Sequence, residues 1–224
     1  MKPRVSLATA KARNGLEVLL YQHDDAFGIS IGGKELMHSK VSASEICLGE
    51  IGVENLVDGM QAHILIGGLG LGFTLKSVLD HISPLVKVDI FEIIPEIINW
   101  NKTFLYNLNG ALLDDSRVSV VSADVSDAIF NAEPSCYDVI ILDLDNGPVA
   151  MVDENNAKLY SYSGIKSINR TLKNNGRLAI WSAGPDLNFE NILKAHSVRY
   201  CTVKPKVYRG AKRARHLIYV MEKQ

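Results

Sequence analysis

A cluster of four glycines, Gly67, Gly68, Gly70 and Gly72, most constrains how this chain can fold. The cluster directly follows the apolar run 64–66 and precedes an amphipathic segment. This order is typical of a buried parallel strand, a tight turn and a helix N-terminus. Glycine has no Cβ, so the backbone can turn sharply and approach a ligand closely. Because the first turn of a helix has unpaired N–H groups, we expect a nucleotide-like or nucleoside-like ligand here.

The composition excludes several classes of protein. The 224 residues suffice for one large domain, or for one domain with a small appendage. The net charge of -1 gives no basis for non-specific nucleic-acid binding. No apolar run reaches the about 18 residues of a membrane span, and the N-terminal segment lacks the apolar stretch of a signal peptide. We therefore expect a cytoplasmic protein with a small-molecule substrate and neither a membrane nor a nucleic-acid partner.

The cysteines and histidines do not have the spacing of a metal site. The three cysteines, Cys47, Cys136 and Cys201, are odd in number and far apart in the sequence. They also cannot be arranged into a disulfide framework, so we expect free thiols in a reducing compartment. The sequence therefore predicts no metal ligand set.

The pattern of predicted secondary structure changes near residue 55. Residues 1–55 contain short strand patterns at 16–22, 26–31 and 34–37, which predict a small N-terminal β segment. Residues 56–224 alternate strands with helices and end in two strands joined by a loop. This pattern predicts an α/β domain with a mostly parallel, Rossmann-like sheet, helices on both faces and an antiparallel final strand.

The α/β pattern also predicts individual elements of the second domain. The predicted strands are at 63–66, 86–93, 117–122, 137–142, 177–181, 200–207 and 216–221. The predicted helices are at 73–81, 95–108, 126–131, 160–173 and 187–196. The run 137–142 is almost wholly apolar, so we expect it to be buried on both faces.

Acidic residues follow the ends of three predicted parallel strands. Glu92 lies near the end of the second strand, Asp124 follows the third, and Asp143 and Asp145 follow the fourth. In an open α/β sheet, ligands bind outside the carboxyl ends of the strands. We therefore expect these carboxylates and the glycine turn to share one crevice.

Each acid has a candidate role and an alternative. Glu92 follows the glycine turn at about the spacing of a ribose-binding acid, and a carboxylate can accept two hydrogen bonds from a ribose diol. Its alternative is a strand-end acid that faces water. Asp124 can accept from an adenine amino group, or it can cap the next helix, a role for which Ser126 competes. Asp143 can hold a cationic amine or a reacting group. Asp145 is either a further acid of the crevice or the first residue of a turn.

Three further features are open to two interpretations. The nicotinamide fingerprint requires a glycine where this chain has Phe73, which disfavours a dehydrogenase. The basic run 209–215 is either a phosphate-binding loop or a solvated one. Tyr160 and Tyr162 either line the pocket or pack in a helix.

The ordered motifs resemble those of the spermidine synthase family, within the class I S-adenosylmethionine-dependent methyltransferase fold. The resemblance covers about residues 60–222. The matching pieces are 68–76, 91–93, 122–124, 137–143 and 172–178.

The resemblance implies a role for each candidate residue. The glycine turn would wrap the methionine-derived part of the cofactor, which is S-adenosylmethionine or its decarboxylated form. Glu92 would hold the ribose and Asp124 the adenine. Asp143 would contact the cofactor and act as the catalytic aspartate, which helps deprotonate or orient an attacking amine while a sulfonium carbon is displaced. The implied cofactor-binding set is Gly67, Gly68, Gly70, Glu92, Asp124 and Asp143.

The chain departs from the family pattern at positions that handle the amine and the aminopropyl group. Leu71 stands where the family has an Asp in the glycine turn. Asn and Gly at 146–147 stand where it has a second acid and a Pro, unless Asp145 substitutes by a shift. If the N-terminal Glu of the family is Glu45, Ala43 stands in place of a Tyr. The departures leave the cofactor site largely intact.

Three functions are compatible with these residues. The first is a spermidine synthase-like transferase that moves an aminopropyl group to an amine. The second is a small-molecule methyltransferase, and the third is a catalytically silent protein that retains the nucleoside pocket. The acceptor and the oligomeric state, with a homodimer as one option, are left open.

Overall fold

The computed structural model describes residues 3–144, 156–196, 198–205 and 216–224. The strands are β1 (Val5–Lys11), β2 (Glu17–His23), β3 (Ala26–Ile31), β4 (Lys34–His38), β5 (His63–Gly67), β6 (Lys87–Glu92), β7 (Val118–Ser122), β8 (Tyr137–Leu142), β9 (Leu172–Ser182), β10 (Tyr200–Val203) and β11 (Leu217–Glu222). The helices are α1 (Ala43–Val53), α2 (Phe73–His81), α3 (Pro95–Lys102), α4 (Tyr106–Asn109), α5 (Val125–Asn131), α6 (Asn156–Leu159), α7 (Tyr162–Thr171) and α8 (Leu187–Ala195).

The larger of the two sheets in the described ranges has the strand order β10-β11-β9-β8-β5-β6-β7. The strands from β5 to β9 pair in parallel. Strand β11 is antiparallel to β9, and β10 is antiparallel to β11. The predicted α/β class, the mostly parallel sheet and the antiparallel final strand are therefore confirmed.

Helices cover both faces of this sheet, as the alternation along β5 illustrates. Ile64 and Ile66 belong to a core shared with α1, α2 and α3. Leu65 belongs to a second core, shared with α5, α7 and α8. Successive side chains of a strand point to opposite faces, so a strand buried on both faces is apolar throughout. The run Tyr137–Leu142 is buried at every position, as predicted.

The smaller sheet is an antiparallel meander of β1, β2, β3 and β4. Its side chains Leu20 and Ile29 are fully buried in the same core as α1, α2 and α3. The N-terminal β segment is therefore confirmed, with β1 as a strand that the sequence pattern did not predict. The division of the chain at residue 55 stays a prediction.

Helix α1 lies within the segment that was expected to contain only strands. Gly49 and Gly52 interrupt its apolar pattern and disfavour a helix in sequence. In the fold they allow close packing, because a Cβ on Gly49 would lie 2.7 Å from Ser77 Cβ, and one on Gly52 would lie 2.5 Å from Ile141 Cδ1. Packing against α2 and β8 thus outweighs the weak local propensity.

Two predicted helices were too long. The predicted helix 95–108 is broken between α3 and α4, where Thr103 leaves the helical conformation and its hydroxyl bonds to Asn99 O at 2.8 Å. The predicted helix 160–173 ends at Thr171, and β9 begins at the next residue by pairing with β8. Sheet pairing therefore outweighs the helical pattern at this boundary.

None of the helices in the described ranges combines the length and the hydropathy that a membrane crossing requires. The three cysteines are free thiols.

Candidate functional site

A cleft with an empty volume of about 850 Å³, including its open mouth, lies at the carboxyl ends of the parallel strands. It brings together the sequence-predicted residues Gly68, Gly70, Glu92, Asp124 and Asp143. The opposite wall comes from the N-terminal sheet. It includes Ala12, Arg13, Asn14, Ile29, Ile31, Leu36 and Met37.

The glycine turn is shaped by backbone conformations that favour glycine. Gly68 has φ +92° and Gly70 has φ +49°. A Cβ on Gly68 would lie 2.2 Å from the Asp143 carbonyl oxygen, and one on Gly70 would lie 2.7 Å from Met37 Sδ. At Gly68 a side chain is therefore excluded by both conformation and space, whereas at Gly70 the positive φ disfavours one and the flexible end of Met37 can move aside. Gly67 is part of β5 and does not line the cleft.

Glu92 lies at the end of β6 and is only 6% exposed. Its carboxylate accepts hydrogen bonds from the backbone N–H groups of Leu69 at 3.1 Å and Ile94 at 2.9 Å. Burial raises the pKa of Glu92, although these N–H groups act in the opposite direction. The carboxylate is thus fixed between the glycine turn and the loop after β6, with its side chain in the cleft wall.

Asp124 both lines the cleft and caps helix α5. Its Oδ1 accepts from Ser126 N at 2.9 Å and from Ser126 Oγ at 2.7 Å, so Asp124, and not Ser126, is the cap. Its Oδ2 accepts from Arg13 Nη1 at 3.0 Å. The alternative of a helix cap is therefore correct, and it is compatible with a place in the cleft. Arg13 was not predicted, because it is 111 residues away in the chain.

Asp143 follows β8 and is held by two neighbouring elements. Its backbone N–H donates to Gly67 O at 2.8 Å, which continues the pairing of β8 with β5. Its Oδ2 accepts from Thr74 Oγ1 at 2.5 Å, and Thr74 is buried in the first turn of α2. Thr74 Oγ1 also lies 3.3 Å from Glu45 O, so Asp143 adjoins the N-terminus of α1.

A second polar group lies at the N-terminus of α1. Ser44 Oγ donates to Glu45 Oε2 at 2.6 Å and lies 3.0 Å from His216 Nδ1. The ring of Trp181 lies 4.7 Å from the His216 ring. Burial raises the pKa of Glu45, while the Ser44 hydroxyl acts in the opposite direction. We refer to Glu45, Ser44 and His216 as the α1 cluster.

The other candidate residues lie elsewhere. Leu71 is buried in the apolar core and supplies no polar group. Tyr160 packs edge-on against Phe189, and Tyr162 stacks on His196, so both tyrosines have packing roles and neither lines the cleft. Asp145, the pair 146–147 and the basic run 209–215 lie outside the described residues.

A family model for the spermine/spermidine synthase domain matches residues 48–205, which is most of the chain. The chain belongs to this family. The matched range contains the glycine turn, Glu92, Asp124 and Asp143. The resemblance inferred from the ordered motifs is therefore confirmed.

Similar curated proteins are polyamine aminopropyltransferases. The relative from Prochlorococcus marinus subsp. pastoris is 33% identical over 132 residues, which are 59% of this chain and 44% of the relative. Polyamine aminopropyltransferase 1 from Streptomyces coelicolor is 32% identical over 135 residues, which are 59% of this chain and 24% of the relative. The matched region thus spans less than half the length of either relative.

Solved spermidine synthases share the fold over nearly the whole chain. The enzyme from Thermotoga maritima gives a TM-score of 0.73 at 16% identity, over 98% of this chain and 73% of that one. A spermidine synthase in complex with the transition state analogue AdoDATO gives 0.72 at 16% identity, over 98% and 72% of the two chains. At this level of identity the likeness shows the fold alone.

Proposed function

We propose that this protein transfers an aminopropyl group from decarboxylated S-adenosylmethionine to an amine. The observation that carries the proposal is the single cleft in which Gly68, Glu92, Asp124 and Asp143 meet. Along the sheet the order is Asp143, the glycine turn with Gly68, Glu92 and Asp124. An adenosyl sulfonium donor has its aminopropyl chain, sulfur, ribose and adenine in the same order. Family membership supports aminopropyl transfer over the methyl-transfer alternative.

The lining residues fit an adenosyl group. Glu92 would accept hydrogen bonds from the ribose hydroxyls, because a carboxylate has two acceptor oxygens. Asp124 Oδ2 would accept from the adenine amino group. Gly68 and Gly70 present bare backbone, so the sulfur-bearing part of the donor can lie close to the turn. Apolar side chains, among them Ile93, supply the remaining contact surface.

The distribution of charge in the cleft favours the decarboxylated donor. Among the described lining residues, Arg13 is the one cation, and it is paired with Asp124 after β7. Strands β5 and β6 separate β7 from β8, which leads to Asp143. An aminopropyl chain near Asp143 has an ammonium that the carboxylate attracts. A donor that retains its carboxylate would instead place like charges together there.

Asp143 is the proposed catalytic residue. Its carboxylate, fixed by Thr74, would orient an N–H of the acceptor amine so that the nitrogen lone pair faces the reacting carbon. The new N–C bond forms as the C–S bond breaks, and the electron pair of that bond stays on sulfur as a neutral thioether. The donor supplies the electrophilic carbon, and the protein supplies orientation and a counter-charge.

Titration calorimetry with both S-adenosyl compounds, followed by product mass measurement with putrescine and a panel of other amines, tests the proposal. We expect the decarboxylated compound to bind at least about tenfold more tightly, a difference of about 1.4 kcal/mol, and to give an aminopropylated product. Tighter binding of S-adenosylmethionine with a methylated product would contradict the proposal. Binding without turnover across the panel would instead support a catalytically silent protein.

A further inference from the structure

We propose that Asn101 and Asn109 are positioning residues of the donor site, which hold the glycine turn in the shape that the nucleoside requires. This inference rests on the proposed binding of an adenosyl donor in the cleft. Asn101 lies in α3, and Asn109 is the last residue of α4. The two residues are only 6% and 8% exposed, and neither lines the cleft. They therefore act on the donor through the turn and not by contact.

A turn of this composition does not fix its own shape. Gly68, Gly70 and Gly72 all have positive φ. Glycine loses more conformational freedom than any other residue when it becomes ordered. A turn that had to be ordered at the moment of binding would cost affinity, and a turn that is ordered beforehand avoids this cost. Groups outside the turn must therefore supply its order.

Two asparagine amides hold the turn by its carbonyl groups. Asn101 Nδ2 donates to Gly70 O at 2.8 Å. Asn109 Nδ2 donates to Leu71 O, the next carbonyl along the turn. Both amides also flank Gly72, since a Cβ on that glycine would lie 3.0 Å from Asn101 Oδ1 and 3.0 Å from Asn109 Nδ2. Two successive peptide groups of the turn are thereby fixed at their oxygens.

The asparagines hold the same turn as the proposed ribose-binding acid. Asn101 Nδ2 also donates to Ile97 O at 2.9 Å, which uses both amide hydrogens and fixes the side chain against its own helix. Gly70, which lines the cleft, thus has its oxygen directed at a buried side chain outside the lining. Glu92 Oε2 accepts from Leu69 N at 3.1 Å, so the turn is held by an N–H group at Glu92 and by carbonyl groups at the asparagines. A change at either asparagine should therefore reach the surfaces that contact the nucleoside.

Packing alone does not account for an amide at position 109. The surroundings of Asn109 are apolar, since its N–H bonds to Leu105 O and its side chain bonds to Leu71 O, and both leucines belong to the core. Asn109 Oδ1 is buried and has no hydrogen-bond partner among the described residues. An unpaired buried oxygen costs free energy that an apolar side chain would avoid. The bond from the amide nitrogen to the turn accounts for asparagine at this position.

Alanine variants of the two asparagines test the inference against matched controls. We expect Asn101→Ala and Asn109→Ala each to raise the Kd of 5′-methylthioadenosine and the KM of the donor by about tenfold, because the turn must then be ordered on binding. With saturating donor, kcat and the KM of the amine should stay within about threefold of wild type. The controls Asn99→Ala in α3 and Asn107→Ala in α4 replace exposed asparagines of the same helices and should match wild type.

The pattern of the losses separates positioning from folding. A purely structural role would reduce the fraction of folded protein, and therefore kcat, while both KM values stayed unchanged. Asn101→Leu nearly keeps the volume of the side chain but removes the amide, so the same rise in Kd is expected without a cavity. A Kd within about twofold of wild type in the folded Asn101 and Asn109 variants would overturn the inference, as would a fall in kcat alone.

Failure of the inference and failure of the proposed function give different results. A wild-type protein that binds 5′-methylthioadenosine but makes no aminopropylated product would overturn the proposed transfer, and the Kd values of the variants would still decide the inference. A wild-type protein that does not bind this nucleoside would overturn both.

Discussion

The donor cleft and the α1 cluster lie side by side but are built in different ways. Each carboxylate of the cleft follows its own parallel strand, so Glu92, Asp124 and Asp143 converge because the strands do. The α1 cluster instead joins residues that are 172 positions apart, Ser44 and His216. The cleft is therefore a property of the α/β fold, whereas the cluster depends on how α1 and β11 pack. This difference teaches that strand order positions one group of polar residues and long-range packing positions the other, so a substitution can change one group without the other.

Loss of the charge at Asp143 should have the largest effect on turnover. We expect Asp143→Asn to lower kcat by about 100- to 1000-fold, because the amide keeps the shape but cannot counter a cationic amine. Binding of 5′-methylthioadenosine should change by less than about threefold, which steady-state kinetics and calorimetry would show. Asp80→Asn, which changes an exposed partner of Lys76, is the control. Equal losses in kcat and in nucleoside affinity would contradict this prediction, because Asp143 would then contribute as much to nucleoside binding as to turnover.

A substitution can disrupt the backbone conformation of the glycine turn without changing any charge. Gly68→Ala would place a Cβ 2.2 Å from the Asp143 carbonyl oxygen at φ +92°, so we expect a loss of about 3 kcal/mol or more in unfolding free energy and no detectable nucleoside binding. Gly33→Ala is the matched control, since Gly33 has φ +79° with open space around it. It should cost about 1 kcal/mol and leave binding intact. Chemical denaturation measures both unfolding free energies. Equal stability of the two variants would contradict the role given to Gly68.

Glu92 tests the donor side alone, and it does so with a pH signature. Glu92→Gln should weaken 5′-methylthioadenosine binding by about tenfold, because charge-assisted bonds to the ribose are lost. Burial raises the pKa of Glu92, so the folded protein retains this proton to higher pH than the unfolded chain. The stability of wild type relative to Glu92→Gln should therefore fall as pH rises from the ordinary glutamate pKa through the raised one. A rise over that range in thermal unfolding would contradict this account.

The smallest effect is expected at Arg13. Its side chain is 55% exposed and its partner Asp124 is also held by Ser126, so the ion pair should contribute less than about 1 kcal/mol. Arg13→Ala should change the Kd of 5′-methylthioadenosine by less than about fivefold in calorimetry. A larger loss would mean that the N-terminal sheet is part of the donor site and not only its wall.

The donor side could be predicted from the sequence because its signals are local. The run before Gly67, the positive-φ glycines and the strand-end acids each depend on a few neighbouring residues. The α1 cluster could not be predicted, since Gly49 and Gly52 conceal α1 as a helix, and no short-range pattern connects Ser44 with His216. Arg13 was missed for the same reason. Boundaries such as the end of α7 at Thr171 were also set by sheet pairing and not by local propensity.

The central claim is that Glu92, Asp124 and the glycine turn enclose one adenosine. A crystal structure with 5′-methylthioadenosine tests it most directly. The account predicts the ribose hydroxyls within hydrogen-bond distance of the Glu92 carboxylate and the adenine amino group at Asp124 Oδ2. A nucleoside bound elsewhere, or one in this cleft that contacts neither carboxylate, would contradict it.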